Sequence, residues 1–206
     1  MKKRMVCALL VLCMALGAVV AAQAENLNLR NYAKARFGHG YPVYSGPGWD
    51  YYRANEGKAT YGGGGVARVY GVTGKWVLIG YQTGTGIYRL GYIEKKALDD
   101  MTVIEGAYDE KLTFSNYTRY IQRDVDLTDD PVIRETPVCT LAQGTRVQVL
   151  GHAGHLSYVQ VKTDEGLMRG FVPANALGKY QILPTPAPAQ TAAPAEDSFV
   201  VVENEG

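Results

Sequence analysis

Residues 39–98 and 122–179 follow one plan, in which short strands come in the same order and are separated by Gly- and Pro-bearing turns. A period this long constrains the fold more than any single motif, because each copy is one supersecondary unit with its own core to close. In the first copy, Tyr41 to Tyr44 runs into the tight turn Ser45-Gly46-Pro47-Gly48. Ala67 to Val72 and Trp76 to Tyr81 flank Thr73-Gly74-Lys75 as a hairpin. Arg89 to Ile93 is a closing strand after the Thr83–Gly86 loop, and Glu94 to Leu98 reads as one helical turn. The second copy repeats this with Val125 to Pro131, Gly144 to Gly151, a turn at His152 to Leu156, Tyr158 to Lys162 and Arg169 to Leu177.

Val147/Val149 and Val159/Val161 alternate with Arg146, Gln148, Gln160 and Lys162. That period of two marks half-buried antiparallel strands with one apolar face. Each copy has about 60 residues, enough for a small independent core. Even turn spacing between many short strands points to a small barrel or sandwich. Residues 99–121 read as the linker, with the aromatics of Tyr108 to Tyr120 available to pack on the second unit.

The ends read differently. Lys2, Lys3 and Arg4, the uncharged run Val6 to Val20, and Ala22-Gln23-Ala24 make residues 1–24 a secretory signal peptide. The run is short for a membrane span, which needs about 20 apolar residues. Leu12 before Cys13 is not the small residue that lipidation sites carry. Residues 25–38 form an N-terminal segment, and the Pro/Ala/Thr-rich, acidic stretch 181–206 reads as a disordered tail. Removal of the leader leaves 18 bases against 20 acids, and Cys139 as the single thiol, so no intramolecular disulfide forms. The whole chain has 21 Lys and Arg against 20 Asp and Glu, with no basic stripe for nucleic acid.

Val43-Tyr44-Ser45-Gly46-Pro47-Gly48, Lys75-Trp76-Val77-Leu78-Ile79-Gly80-Tyr81 and Leu90-Gly91-Tyr92-Ile93 together resemble the bacterial SH3-like family. The second unit has Leu141 to Leu150, Tyr158-Val159-Gln160-Val161 and Gly170-Phe171-Val172 in the same order. It departs from the pattern with Asp129-Asp130-Pro131 for the Ser-Gly-Pro turn, and with Tyr158 and Phe171 where Trp is common. The resemblance implies an all-β chain of two small SH3-like β-barrels in tandem, at 39–98 and 122–180. It also implies non-catalytic binding of cell-wall peptides or surface ligands, with no cofactor.

Residues 41–92 hold nine Tyr and both Trp, 11 of the chain's 21 aromatics, more than one small barrel can enclose. If Val77 and Ile79 point inward, Trp76 and Leu78 point outward. Trp76 with Tyr44, Trp49, Tyr51, Tyr52 and Tyr92 then lines a stacking groove, with Arg53 and Arg89 available for carboxylates. The same outward rings would serve equally as the contact between the two barrels.

Other motifs read as structural. Gly62 to Gly65 precedes a strand rather than a helix, which makes it a loop and not a dinucleotide site. His152 and His155 fall in a turn and read as solvated. Asp124, Asp126, Asp129 and Asp130 lack the spacing of a Ca²⁺ loop and read as a solvated acidic turn. Cys139, between Val138 and Thr140, reads as an inert thiol, the alternative being a wall-hydrolase nucleophile. The expectation is a secreted or cell-wall-associated binding protein whose partner is a peptidoglycan peptide or surface ligand. An adaptor for another exported protein is the alternative.

Overall fold

The computed structural model describes residues 27–83, 87–131 and 137–182. The leader, the Pro/Ala-rich tail and the tip of the Thr83–Gly86 loop lie outside the described residues. The fold is all-β and includes a half-barrel sheet.

The first half contains β1 (Ala33–Phe37), β2 (Tyr41–Pro42), β3 (Thr60–Tyr61), β4 (Ala67–Thr73), β5 (Trp76–Gln82), β6 (Tyr88–Glu94) and β7 (Met101–Glu105). The second half contains β8 (Tyr117–Ile121), β9 (Val125–Thr128), β10 (Pro137–Leu141), β11 (Arg146–Ala153), β12 (Leu156–Thr163), β13 (Gly166–Pro173) and β14 (Leu177–Gly178). Short 3-10 turns follow β6 and β13, at Lys95–Asp100 and Ala174–Ala176. One antiparallel sheet has the order β6-β5-β4-β1-β7, and another has β10-β9-β13-β12-β11-β8-β14. β2 and β3 pair as a separate ribbon.

Alternation along the strands builds two cores. Ala33, Ala35 and Phe37 of β1 meet Val69, Val77, Ile79 and Ile93 inside the first sheet. Val147, Val149, Val159, Val161 and Met168 fill the second, so the expected Val face is the buried one. The two long hairpins share an irregularity. Their registers shift between Val69 and Gly71, and between Val149 and Gly151. An extra residue in one strand re-aims its side chain. Here Tyr70 and Leu150 join the layer between the sheets.

That layer is a third apolar cluster. Tyr70, Trp76, Leu78, Leu90 and Tyr92 of the first sheet pack with Leu150, Leu156, Tyr158 and Phe171 of the second. Leu78 pairs across to Tyr92 and to Gly71, as Tyr158 pairs to Phe171 and to Gly151. Corresponding positions of the two hairpins therefore face one another. Trp76 and Leu78 do point away from Val77 and Ile79, and the second sheet covers Leu78.

The segment expected to be a linker carries strands. β7 pairs with β1 in the first sheet, and β8 pairs with β11 in the second. Between them, Asp109 N–H donates to the Tyr70 carbonyl at 3.0 Å, Leu112 N–H to Val72 at 2.6 Å, and Ser115 N–H to Leu150 at 2.8 Å. Residues 106–116 thus strap both sheets. Of the aromatics from Tyr108 to Tyr120, Phe114 and Tyr117 pack toward the second unit, whereas Tyr108 packs on the first core.

Two readings of polar residues are corrected. Asp129 and Asp130 are buried rather than solvated. His152 lies within β11, where its Nε2 meets the Tyr117 hydroxyl at 2.9 Å and its Nδ1 meets Ser157 Oγ at 3.0 Å. His155 stays exposed in the turn.

Candidate ligand-binding site

The loop after β2 carries most of the aromatics singled out in the sequence, and its turn depends on glycine. A Cβ on Gly46 would lie 2.0 Å from a ring carbon of Tyr51, so only Gly lets the loop fold back over that ring. The loop then divides its side chains between the two sheets.

Tyr44 stays with the first sheet. It forms a bridge to Tyr92 of β6, with Tyr44 N–H to the Tyr92 carbonyl at 3.0 Å and the return bond at 2.8 Å. Tyr51 and Tyr52 go to the second. Tyr52 N–H donates to the Leu167 carbonyl at 2.7 Å, and the Tyr51 hydroxyl donates to Gln160 Oε1 at 2.6 Å. Arg53 turns inward, with Nε donating to the Ala59 carbonyl at 2.9 Å and its guanidinium 5.7 Å from the Tyr44 ring centre.

Tyr92 is fully buried, at 0% exposure, in a polar knot within the layer between the sheets. Its hydroxyl accepts from Arg169 Nη1 at 3.1 Å and from the Tyr158 hydroxyl at 3.3 Å. Arg169 Nε donates to Gln160 Oε1 at 2.9 Å. Its guanidinium lies 5.5 Å from the ring centres of Tyr51 and Tyr92 and 5.2 Å from that of Phe114. Burial raises the Tyr51 hydroxyl above its ordinary pKa. Burial raises the Tyr158 hydroxyl likewise, and this part of the aromatic set, gathered around one cation, joins the sheets.

A different part of the set is open. Trp49 is 68% exposed, whereas Trp76 beneath it is 6% exposed. Trp76 meets Trp49 edge-on at 5.6 Å and Tyr44 edge-on at 5.4 Å, spacings at which aromatic quadrupoles attract. Beside this stack is a cleft of about 260 Å³ lined by Trp49, Trp76, Lys75, Glu94, Lys95 and Lys96. Glu94 orders its rim. Its carboxylate accepts from Lys96 Nζ at 2.7 Å and from Trp49 Nε1 at 3.3 Å. Lys96, with help from the indole, holds that carboxyl below its usual value. The cleft thus has an aromatic floor and a rim of three lysines against one carboxylate, which suits stacking beside an anionic group.

Arg89 lies elsewhere. It pairs directly across from Tyr81 at the other end of the β5–β6 hairpin. Its Nη1 is 3.1 Å from Oδ2 of Asp129, which follows β9 of the second sheet. The backbone repeats the connection, with Leu90 N–H donating to the Asp129 carbonyl at 2.9 Å. Nothing in the sequence flagged this pairing, because the partners are 40 positions apart and both read as surface charges.

Cys139 sits in β10 against Met168, with Sγ 3.8 Å from Sδ. Burial pushes its thiol above the ordinary range, away from the thiolate form. Among the described residues, no group of three or more His, Cys, Asp or Glu comes together as a metal site. No protein-family model matches the chain, and none of the curated proteins compared with it matches.

Proposed function

We propose that this chain is an exported, non-catalytic binding protein built as two SH3-like barrels in tandem, and that the Trp49–Trp76 cleft holds a cell-wall peptide or another cell-surface ligand. The observation that carries the reading is the exposed Trp49 indole stacked edge-on over Trp76 beside Lys75, Lys95 and Lys96. An aromatic this exposed contributes little to the core, yet its position is fixed by Glu94 and by the ring below it. Pre-positioned rings reduce the ordering that binding requires. The lysines suit the free carboxylates of wall peptides. The all-β fold with its half-barrel sheet and the two corresponding hairpins support the tandem-barrel reading. The leader-like start of the chain supports export. The raised Cys139 thiol supports a non-catalytic role.

The test is retention on purified peptidoglycan. The wild-type chain is retained, and Trp49→Ala lowers the affinity at least tenfold, the range of an aromatic anchor. Because Trp49 lies outside the core clusters, the variant folds normally. Equal retention of the two proteins overturns the reading.

A second reading is an adaptor for another exported protein. It draws on β7, an edge strand of the first sheet with Val103 and Ile104 both about half exposed. Unpaired edges with apolar side chains accept an added strand. Recovery of a defined exported protein without retention on peptidoglycan favours this reading.

A further inference from the structure

We propose that the chain's own acidic tail folds back onto the second sheet, with Glu196 and Asp197 seated in a cationic cleft over β11, β12 and β13. The cleft has a volume of about 240 Å³, and Arg146, Gln148, Gln160, Lys162 and Leu167 are among its lining residues.

The period of two along β11 and β12 puts Arg146 and Gln148, and Gln160 and Lys162, on one face of the sheet. Gln148 pairs with Gln160 across the strands, and Lys162 pairs with Leu167 of β13. Arg146 and Lys162 each stand two residues beyond the Gln148–Gln160 pair, in the same cleft, and both are exposed. Among the described residues, neither has a carboxylate partner. Arg146 Nη2 reaches Thr118 Oγ1 at 3.5 Å, a weak contact. Like charges that neighbour one another across a strand pair repel, and none of the lining residues is acidic. An anion between the two cations relieves that repulsion. Gln160 adds an oriented donor. Its Oε1 already accepts from the Tyr51 hydroxyl at 2.6 Å and from Arg169 Nε at 2.9 Å, which leaves its amide N–H groups for the cleft. Two cations and a fixed amide suit a pair of carboxylates, and Leu167 beside them offers an apolar contact.

The course of the chain at Tyr180 to Ile182 selects the occupant. Gln122 Nε2 donates to the Tyr180 carbonyl at 2.9 Å, and Gln181 Nε2 donates to the Gly144 carbonyl at 3.1 Å. The Ile182 carbonyl lies against Gly144, 2.8 Å from where a Cβ would stand. Gly144 precedes Arg146 by two residues, roughly 7 Å along a strand. The tail therefore leaves the sheet beside the cleft. After Lys179 the sequence has Glu196, Asp197, Glu203 and Glu205 and neither Lys nor Arg. Glu196 is 14 positions beyond Ile182. That is about 43 Å of chain at roughly 3.1 Å per residue in a Pro-rich linker, enough to return to the cleft with slack. A tether of this kind holds the acids near the cleft at a local concentration on the order of millimolar, which a free anion must exceed. Phe199, two residues after Asp197, then covers Leu167.

None of these residues lines the Trp49–Trp76 cleft, so the proposal stands apart from the function proposed above.

The test compares ¹H–¹⁵N NMR spectra of the full chain and of its Glu196→Gln/Asp197→Asn variant. The variant shifts the backbone amides of Arg146, Gln148, Lys162 and Leu167 and the side-chain amide of Gln160. Salt at about 1 M, where the screening length falls to about 3 Å, moves the wild-type signals to the same positions. Arg146→Gln/Lys162→Gln, which alters two exposed side chains and leaves the core intact, moves the amides of Glu196 and Asp197 in turn. A synthetic peptide of residues 195–206 binds the Glu196→Gln/Asp197→Asn variant and restores the wild-type positions. The same peptide binds the wild-type chain at least tenfold more weakly, because the cleft is filled. Trp49→Ala changes none of this. Unmoved cleft amides in the tail variant, equal affinity of the peptide for both chains, or wild-type shifts that vanish on dilution, as binding of the tail by a second copy requires, each overturns the proposal.

Discussion

Arg89 and Asp129 form an ion pair that crosses from one sheet to the other, with Nη1 and Oδ2 3.1 Å apart and both side chains largely removed from water. Burial dominates over the guanidinium, and Asp130 adds to it. The Asp129 carboxyl is pushed up to about 6. An unfolded Asp titrates near 3.9. The folded state therefore binds this proton more tightly than the unfolded state. The stability it contributes is fully present below about pH 4 and is lost as the pH rises through 6, on the order of 3 kcal/mol in all. Urea denaturation between pH 4 and 7 should show stability falling with pH. Asp129→Asn should flatten that slope. An unchanged slope in the variant assigns the effect to another group.

Arg169 has a larger structural role than any charge at the surface. It donates to Tyr92 and Gln160 and touches three aromatic rings. Arg169→Ala takes one of two donors from each of Tyr92 and Gln160 and opens a gap between the sheets. The expected loss is about 3–6 kcal/mol, two hydrogen bonds from a charged donor at about 1.5–3 kcal/mol each. Tyr92→Phe removes only the shared hydroxyl and should cost about 1–2 kcal/mol. Denaturant midpoints of the two variants test the order, and equal losses argue against the network.

Much of the architecture was legible because it is local. The Val147/Val149 and Val159/Val161 alternation and the Gly74 turn placed both long hairpins. The inward direction of Val77 and Ile79 placed Trp76 and Leu78 on the other face. What covers that face was not legible, because it depends on docking between strands some 80 positions apart. β1, β7 and β8 escaped because they are short and lie in stretches that the repeat left out, the N-terminal segment and the linker, and β7 keeps Val103 and Ile104 exposed at an edge. Asp129 and Asp130 read as solvated because charge burial requires a partner, and Arg89 reaches Asp129 only in the folded chain. The candidate rings were found as a set, but their division between an open cleft and the seam between the sheets follows from the loop fold that Gly46 permits.

Tyr61 offers a test of a different kind. Its ring is buried in the first core, and among the described residues its hydroxyl has no hydrogen-bond partner. A buried hydroxyl without a partner costs free energy that the phenyl ring does not. Tyr61→Phe should leave the fold intact and raise stability by about 1 kcal/mol, read from the shift in urea midpoint. A loss of similar size means that the hydroxyl is satisfied in solution.

Gly46 and Gly40 separate close approach from mere flexibility. A Cβ at Gly40 has nothing within 4 Å, whereas one at Gly46 falls inside the Tyr51 ring. Neither has the positive φ that would strain an alanine. Gly40→Ala restricts the unfolded chain at no steric cost and should stabilise by about 0.4–1 kcal/mol. Gly46→Ala forces Tyr51 away from Gln160 and from the Arg169 guanidinium, and should destabilise by about 1–3 kcal/mol, as overpacking does. It should also loosen the tie from Tyr52 N–H to Leu167. Amide hydrogen exchange would then accelerate at Tyr52 and Leu167 but not in β4 or β5. Slow exchange at both positions in a folded Gly46→Ala protein would show that the loop holds the second sheet without the Tyr51 contact.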